Sequence, residues 1–438
     1  MSRETQATLH ALRRGDLAGA TELRLTGLTE FPREIFGLAD SLDVLDLSDC
    51  ALSTLPDDFG RLHRLRALFC MGNRFERLPA AMSDCAALSQ IGFRRAGVRE
   101  VPGEALPPKL RWLILTDNQI ARLPDALGER PALQKVMLAG NRLSELPASL
   151  AQAHNLELLR LSANCFERLP DWLAELPSLA WLSWSGAAFE RPLPPTATRD
   201  IGWSDLEMSD HLGEGASGRV YRALWRGAEG GEALPVAMKL FKGAMTSDGL
   251  PDREMAACLA AGRHPNLISA LGRLTDHPDG DAALVMPLLP ARWRALAGPP
   301  SAHSCSRDVY AEGFALPPAT ALRIARNIAA ATAHLHARGI MHGDLYAHNI
   351  LWDGESGDAV LSDFGAACIL PEGARSDRWR RLETRAWGVL LDELLDCCTE
   401  APANMTAMRA LAQACTHAQT EKRPLMTEAL DTIDRLAA

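Results

Sequence analysis

The chain has 438 residues, of which 47% are hydrophobic, and a formal net charge of −9 at pH 7. This length exceeds what one typical hydrophobic core organises, so we expect two domains. The mildly acidic balance argues against a dedicated nucleic-acid or anionic-membrane binder, which would carry a basic face. The ten cysteines show no metal-ligand spacing, which indicates reduced thiols. With no signal core and no membrane-length apolar run, we expect a cytoplasmic protein without a membrane span.

The first half of the chain repeats at intervals of 22 or 23 residues. The repeats start at Leu42, Leu65, Leu88, Leu110, Leu133, Leu156 and Leu179. Apolar residues follow at the third and fifth positions, and a Leu-Pro-like pair closes most turns. The pattern resembles the leucine-rich repeat, which implies an α/β horseshoe solenoid of about eight turns over 20–190. We expect residues 1–19 to form a helical cap on its open N-terminal edge.

Polar and aromatic positions within the repeats carry two further predictions. Asparagines eight positions into the repeats should hydrogen-bond backbone groups where the chain turns inward; they are Asn73, Asn118, Asn141 and Asn164. Alternate strand positions should face the concave side of the solenoid, where Trp, Arg, Phe and Met are residue types typical of interfaces. We predict that a protein partner binds this face through Phe69, Trp112, Met137, Arg160 and Trp181. The alternative is that the tryptophans only shield strand edges.

The Pro-rich stretch 191–203 breaks the repeat and is predicted to be an extended linker. A glycine loop follows at Gly213, Gly215 and Gly218, and the apolar segment after it indicates a strand. A dinucleotide-binding fold would require a helix at that point. The loop therefore favours a hairpin whose backbone N–H groups cover phosphates.

Lys239 ends the apolar, strand-like segment Val236-Ala237-Met238-Lys239. An unpaired ammonium is costly to bury there, so Lys239 requires carboxylate and phosphate partners. Glu254 lies 15 residues further on, in a predicted helix, and we expect it to pair with Lys239.

Two motifs near the C-terminus complete a recognisable order. Asp344 is followed five positions on by Asn349, and Asp363 opens an Asp-Phe-Gly turn. Together with the glycine loop and Lys239, these motifs resemble a protein kinase of the eukaryotic serine/threonine type over 204–438. The resemblance implies a two-lobed α+β fold that uses ATP and Mg²⁺ or Mn²⁺.

The resemblance also implies roles for individual residues. Asp344 is the expected base, and Asn349 and Asp363 are the expected metal ligands, since carboxylate and amide oxygens suit Mg²⁺. Lys239, held by Glu254, would grip the ATP phosphates under the glycine loop. The expected adenine-site residues are Val220, Ala237, the gatekeeper Met286 and the hinge residue Leu288.

Three departures from the family pattern stand out. Gly343 replaces the Arg that usually precedes the catalytic Asp and receives a phosphate of the activation loop. The activation segment is short, and no Ser, Thr or Tyr lies between Gly365 and Pro371. Tyr346 stands where serine/threonine kinases carry a Lys, which leaves His348 or the metal to neutralise the transferring phosphate.

These features leave alternative functions open. The first is an active serine/threonine protein kinase whose repeats recruit a partner or substrate. The second is a pseudokinase scaffold with little or no phosphotransfer, and the third is a small-molecule kinase. Repeats followed by a kinase without a membrane span, together with the Arg-over-Lys bias, resemble a bacterial leucine-rich repeat protein kinase.

Overall fold

A computed structural model describes residues 3–191, 199–215, 217–227, 231–243, 245–246, 248–373, 376–401 and 403–437. The chain forms two compact units, Met1–Ser178 and Leu179–Ala438. This division lies inside the stretch that we assigned to the repeats, whose end at residue 190 stays a prediction. Most of the predicted linker, 192–198, falls outside the described residues.

The first unit opens with helix α1, Arg3–Arg14, which buries Leu9 and Leu12. Its described residues then form seven strands of three residues each, and each strand pairs in parallel with the next. The strands are β1 Glu22–Arg24, β2 Val44–Asp46, β3 Ala67–Phe69, β4 Gln90–Gly92, β5 Trp112–Ile114, β6 Lys135–Met137 and β7 Leu158–Arg160. Each strand is followed by a short 3₁₀ helix on the return path.

The register of the parallel sheet explains the repeat. Leu113 pairs with Val136, and Val136 pairs with Leu159. All three side chains are fully buried, so equivalent apolar positions stack into one continuous core. No single turn buries its own apolar face, and the turns therefore stabilise one another. The predicted leucine-rich repeat solenoid is confirmed.

Buried asparagines complete the inward turns. The Oδ1 atom of Asn141 accepts a hydrogen bond from the Ile120 N–H at 3.0 Å. Its Nδ2 atom donates to the carbonyls of Leu115 and Leu138, each at 2.9 Å. Asn164 makes the equivalent contacts one repeat later. These amides satisfy backbone groups that the short strands leave without ladder partners.

Replacing Asn141 by Ala should lower the unfolding free energy of the first unit by about 3 kcal/mol, since it leaves buried backbone groups unsatisfied. Urea denaturation of the full chain, resolved by peptide hydrogen exchange, measures the loss. Asn155→Ala is the matched control because Asn155 is exposed and its Nδ2 atom donates a hydrogen bond to the Pro131 carbonyl at 2.8 Å. Equal losses in the two variants would contradict the proposed role of the buried asparagines.

The predicted partner-binding face is only partly available. Phe69 and Trp112 are half-buried, and the Lys135 ammonium lies 4.4 Å from the centroid of a Trp112 ring. Met137, Arg160 and Trp181 are 8%, 1% and 1% exposed. The prediction that these three side chains belong to an open binding surface is therefore wrong, because they are buried.

The second unit begins with the short strand β8, Trp181–Ser183, and then builds a six-stranded sheet. Its strands are β9 Asp200–Gly202, β10 Leu206–Glu214, β11 Gly218–Trp225, β12 Leu234–Phe241, β13 Gly272–Thr275 and β14 Ala283–Pro287. Their order in the sheet is β10-β11-β12-β14-β13-β9. Helix α2, Pro251–Ala261, lies between β12 and β13 in the chain and starts with Pro at its first position.

The rest of the second unit is mainly helical. Helix α3, Pro318–Ala337, packs against α4, Ser376–Asp396, and α6, Met426–Ala437, while α5, Met405–Cys415, packs on α4 and α6. Strands β15 Trp293–Ala295, β17 Ile350–Asp353 and β18 Ala359–Leu361 form one small sheet, and β16 Ile340–Met341 and β19 Cys368–Ile369 form another. The predicted two-lobed α+β fold is confirmed. Among the helices described, none is both long and apolar enough to cross a membrane.

Candidate active site

A cleft of about 600 Å³ lies beside the six-stranded sheet of the second unit. The predicted residues that line it are Gly215, Gly218, Val220, Ala237, Lys239, Glu254, Met286, Leu288 and Asp363. Strand register explains the grouping, since Lys239 pairs with Val220 on one side of β12 and Ala237 pairs with Met286 on the other. Gly213 is not among the lining residues. The size and the mixture of apolar walls with a few charged groups are typical of a small-molecule site.

Lys239 and Glu254 form an ion pair inside this cleft, between Nζ and Oε1. Their side chains are 15% and 5% exposed. Burial by itself would lower the pKa of Lys239, but the charges of Asp363 and Glu254 raise it above its ordinary value. Burial and the charge of Asp363 raise the pKa of Glu254, against the opposing charge of Lys239. The Lys239 ammonium therefore pairs with Glu254 and is also stabilised by the charge of Asp363.

Asp344 and Asn349 lie in the loop between β16 and β17. The Nδ2 atom of Asn349 donates to the Asp344 carbonyl at 2.9 Å and to its carboxylate Oδ2 at 2.7 Å. Ser362 fixes the same loop, because its Oγ atom donates to the Asn349 carbonyl at 2.8 Å. These contacts orient the Asn349 amide so that its oxygen is the atom able to coordinate a cation.

Asp363 is held in an uncommon backbone conformation, with a φ of 59°. Aspartate tolerates this left-handed region better than most residues, although the conformation still costs energy. The carboxylate Oδ1 accepts the N–H of Gly365 at 3.0 Å, which closes the turn. The strained turn therefore fixes the Asp363 carboxylate at the cleft wall.

Comparison with known proteins places these groups in a family. Residues 206–387 match the protein tyrosine and serine/threonine kinase family, and residues 41–62 and 131–186 match leucine-rich repeat families. The chain carries a protein kinase domain behind leucine-rich repeats. The match begins with β10 and so covers the residues that line the cleft, the Lys239–Glu254 ion pair and the loop of Asp344 and Asn349.

Kinases of eukaryotes share sequence with this domain. Human kinase suppressor of Ras 2 is 28% identical over 190 residues, which cover 41% of this chain and 17% of that protein. A probable serine/threonine-protein kinase of Dictyostelium discoideum is 25% identical over 282 residues, covering 54% and 28% of the two chains. A second one, gdt4, is 30% identical over 179 residues, covering 38% and 9%. The chain thus spans at most 28% of the length of these relatives.

The kinase domain contains site residues that motif reasoning missed. Leu212 and Leu351 also line the cleft. Leu351 belongs to the apolar segment directly after Asn349, and its position in a strand-like pattern was the available signal. Leu212 is 43% exposed, so no burial pattern distinguishes it.

The kinase domain also pairs His348 with Asp308, a residue that no motif singled out. The His348 Nδ1 atom lies 2.7 Å from the Asp308 carboxylate, whose side chain is 1% exposed. The His348 backbone N–H donates to the other oxygen of the same carboxylate at 3.0 Å. Burial opposes the charged imidazole, but the bond to Asp308 and the charges of Asp344 and Asp363 raise the pKa of His348. The buried Asp308 carboxylate therefore holds the imidazole one residue before Asn349 and favours its protonated form.

Proposed function

We propose that the protein is an ATP-dependent serine/threonine protein kinase. The observation that carries the proposal is the cleft that holds the Lys239–Glu254 ion pair together with Asp363. A buried ion pair contributes little net stability by itself, and the Lys239 ammonium lines an open cleft where it can bind the phosphate oxygens of ATP. The adenine would lie between Val220, Ala237, Met286 and Leu288, which line the same cleft.

The donor set fits a divalent metal. Asp363 contributes a carboxylate at the cleft wall, and Asn349 contributes an amide oxygen, the hard ligands that Mg²⁺ prefers. The metal would neutralise the phosphate charge that develops during transfer. Lys239 would orient the ATP phosphates, and Asp344 would accept the proton of the substrate hydroxyl. Tyr346 offers no positive charge near Asp344, and the His348 imidazole, which is held by Asp308, would supply one when it is protonated.

A pseudokinase scaffold is the second candidate, and the burial of Tyr346 favours it. Tyrosine carries no positive charge, and because this side chain is packed at 5% exposure it cannot swing away to let water or another group reach the transferring phosphate. The test incubates the purified full chain with γ-labelled ATP and a denatured protein substrate, with Mg²⁺ or with a chelator, and uses Asp344→Ala as the blank. Metal-dependent label in the wild type alone is the expected result. Nucleotide binding without any transfer would overturn it and establish the scaffold.

We propose further that the repeats bind a protein through the half-buried Phe69 and Trp112. Leucine-rich repeats generally present such a face to proteins. Replacing both residues by Ser should reduce phosphorylation of a recruited protein substrate by about tenfold or more, since aromatic anchors dominate interface energies. Phosphorylation of a denatured generic substrate serves as the control and should not change. An equal loss on both substrates would contradict a recruiting role.

A further inference from the structure

Leu179–Arg191 covers the last of the predicted repeats and is called the terminal segment below. It contains β8 and belongs to the second unit. Its first tryptophan contacts the catalytic loop directly. The Trp181 Nε1–H donates to the Leu345 carbonyl at 2.9 Å, and the ring stacks on Tyr346 with centroids 4.2 Å apart and planes 8° apart. Trp181 is 1% exposed and Tyr346 is 5% exposed. The residue directly after Asp344 is thus fixed by the terminal segment.

The same segment explains the glycine before Asp344. Gly343 has a φ of 75°, and a Cβ atom there would lie 2.8 Å from the Leu182 carbonyl oxygen. It would also lie 2.6 Å from the carbonyl oxygen of Ala366. Real side chains do not tolerate such distances to backbone atoms, so position 343 accepts glycine alone. The Gly343 N–H donates to the buried carboxylate of Glu383 at 2.7 Å, which anchors the loop from the other side.

The terminal segment also holds both backbone groups of Ile369 in the short activation segment. The Ile369 carbonyl accepts the Trp184 Nε1–H at 3.3 Å, and its N–H donates to Glu190 Oε1 at 3.0 Å. The second Glu190 oxygen accepts the Gly186 N–H at 2.6 Å. One carboxylate oxygen of Glu190 is therefore bound within the terminal segment, which orients the other oxygen toward the activation segment.

Helix α2, which carries Glu254, is the third element that the terminal segment contacts. Glu190 Oε2 lies 4.0 Å from the Arg253 guanidinium, and Ser183 Oγ donates to the Asp248 carbonyl at 3.4 Å just before the helix. The catalytic loop, the activation segment and the helix of the ion-pair glutamate therefore share one neighbour. Their relative positions decide whether Asp344, Asp363 and Lys239 converge.

No residue between Gly365 and Pro371 has a hydroxyl group, so phosphorylation of a residue in this stretch cannot order it. We propose that Trp181 and Glu190 are positioning residues, which hold the catalytic loop and activation segment in the arrangement needed for phosphotransfer. This inference rests on the proposed kinase activity. The terminal segment then acts as a permanent part of the catalytic domain.

The test uses full-length Trp181→Ala, Trp181→Phe and Glu190→Ala, with Trp203→Ala and Glu207→Ala as matched controls elsewhere in the second unit. We expect kcat to fall about 10- to 100-fold in Trp181→Ala and Glu190→Ala, with the KM for ATP within about twofold, since misplaced groups lose rate rather than binding. Hydrogen exchange should rise in peptides covering 340–350 and 366–371, next to the terminal segment itself, and should stay unchanged in α5 and α6. Trp181→Phe keeps the stacking and loses the hydrogen bond, so it should recover part of kcat.

Unchanged kcat and unchanged exchange at 340–350 in the folded Trp181→Phe and Glu190→Ala variants would overturn the inference. The same holds if Trp203→Ala raises exchange in these peptides as strongly, because the effect would then be general destabilisation. If Trp181→Ala does not fold, kcat and hydrogen exchange of Trp181→Phe and Glu190→Ala decide whether the inference holds. An inactive wild type would refute the proposed function, while the exchange measurement would still show whether the terminal segment orders the loop.

Discussion

Replacing Asp344 by Ala is expected to lower kcat for phosphotransfer by about 10²- to 10⁴-fold, the range for removal of a general base. The carboxylate Oδ2 accepts a hydrogen bond from Asn349, so the loop presents it in a fixed orientation. Asp344 is not among the residues that line the nucleotide cleft. The Kd for ATP should therefore stay within about threefold of the wild type, because the lost interaction forms mainly in the transition state.

Steady-state label transfer and equilibrium nucleotide titration measure the two quantities separately. Asp431→Ala is the matched control because Asp431 is an exposed carboxylate on α6. Wild-type activity in Asp344→Ala would refute the assignment of the base. A parallel loss of ATP binding would instead indicate that Asp344 holds the nucleotide.

Replacing Lys239 by Met should abolish detectable phosphotransfer and lower the unfolding free energy of the second unit by about 3 kcal/mol. The reason is that Glu254 stays buried near Asp363 without its cation, and an uncompensated buried charge is strongly destabilising. The double variant Lys239→Met/Glu254→Leu should regain most of the stability and none of the activity. That result would separate the structural cost of the pair from its role toward ATP.

The stability loss in Lys239→Met should also depend on pH. The pKa of Glu254 is already raised by burial and by Asp363, and loss of the ammonium raises it further. The folded state then binds a proton more readily than the unfolded state, so stability falls as pH rises above the unfolded carboxyl pKa of about 4.3. Urea midpoints at about pH 5 and about pH 8 check the sign. Arg273→Met, which breaks the exposed pair with Asp200, is the control and should cost under about 1 kcal/mol.

Sequence alone predicted the features that depend on local spacing. The 23-residue period determined the solenoid because each turn contacts only its neighbours. The order of Lys239, Glu254, Asp344 and Asp363 identified the kinase fold, and the structure brings Lys239 and Glu254 into contact. Asn141 was predictable for the same reason, since its partners lie in its own repeat and the one before it.

Contacts between distant parts of the chain were not predictable in this way. Trp181 was interpreted as an open interface residue, whereas it meets Leu345 across 164 residues. A tryptophan at this position indicates extensive packing, but no spacing rule reveals which surface the side chain meets. The Asp308–His348 pair was missed because an acidic residue in an irregular segment carries no periodic signal.

The contact between Leu182 and Gly343 limits the mutational paths open to this protein. An arginine at position 343 would place its Cβ against two backbone carbonyls, so that residue and the docked terminal segment exclude each other. The Ala366 carbonyl lies in the activation segment, so removal of the terminal segment alone would not make room for a side chain at position 343. An arginine there requires both segments and the left-handed backbone of the loop to rearrange together, which no single substitution achieves.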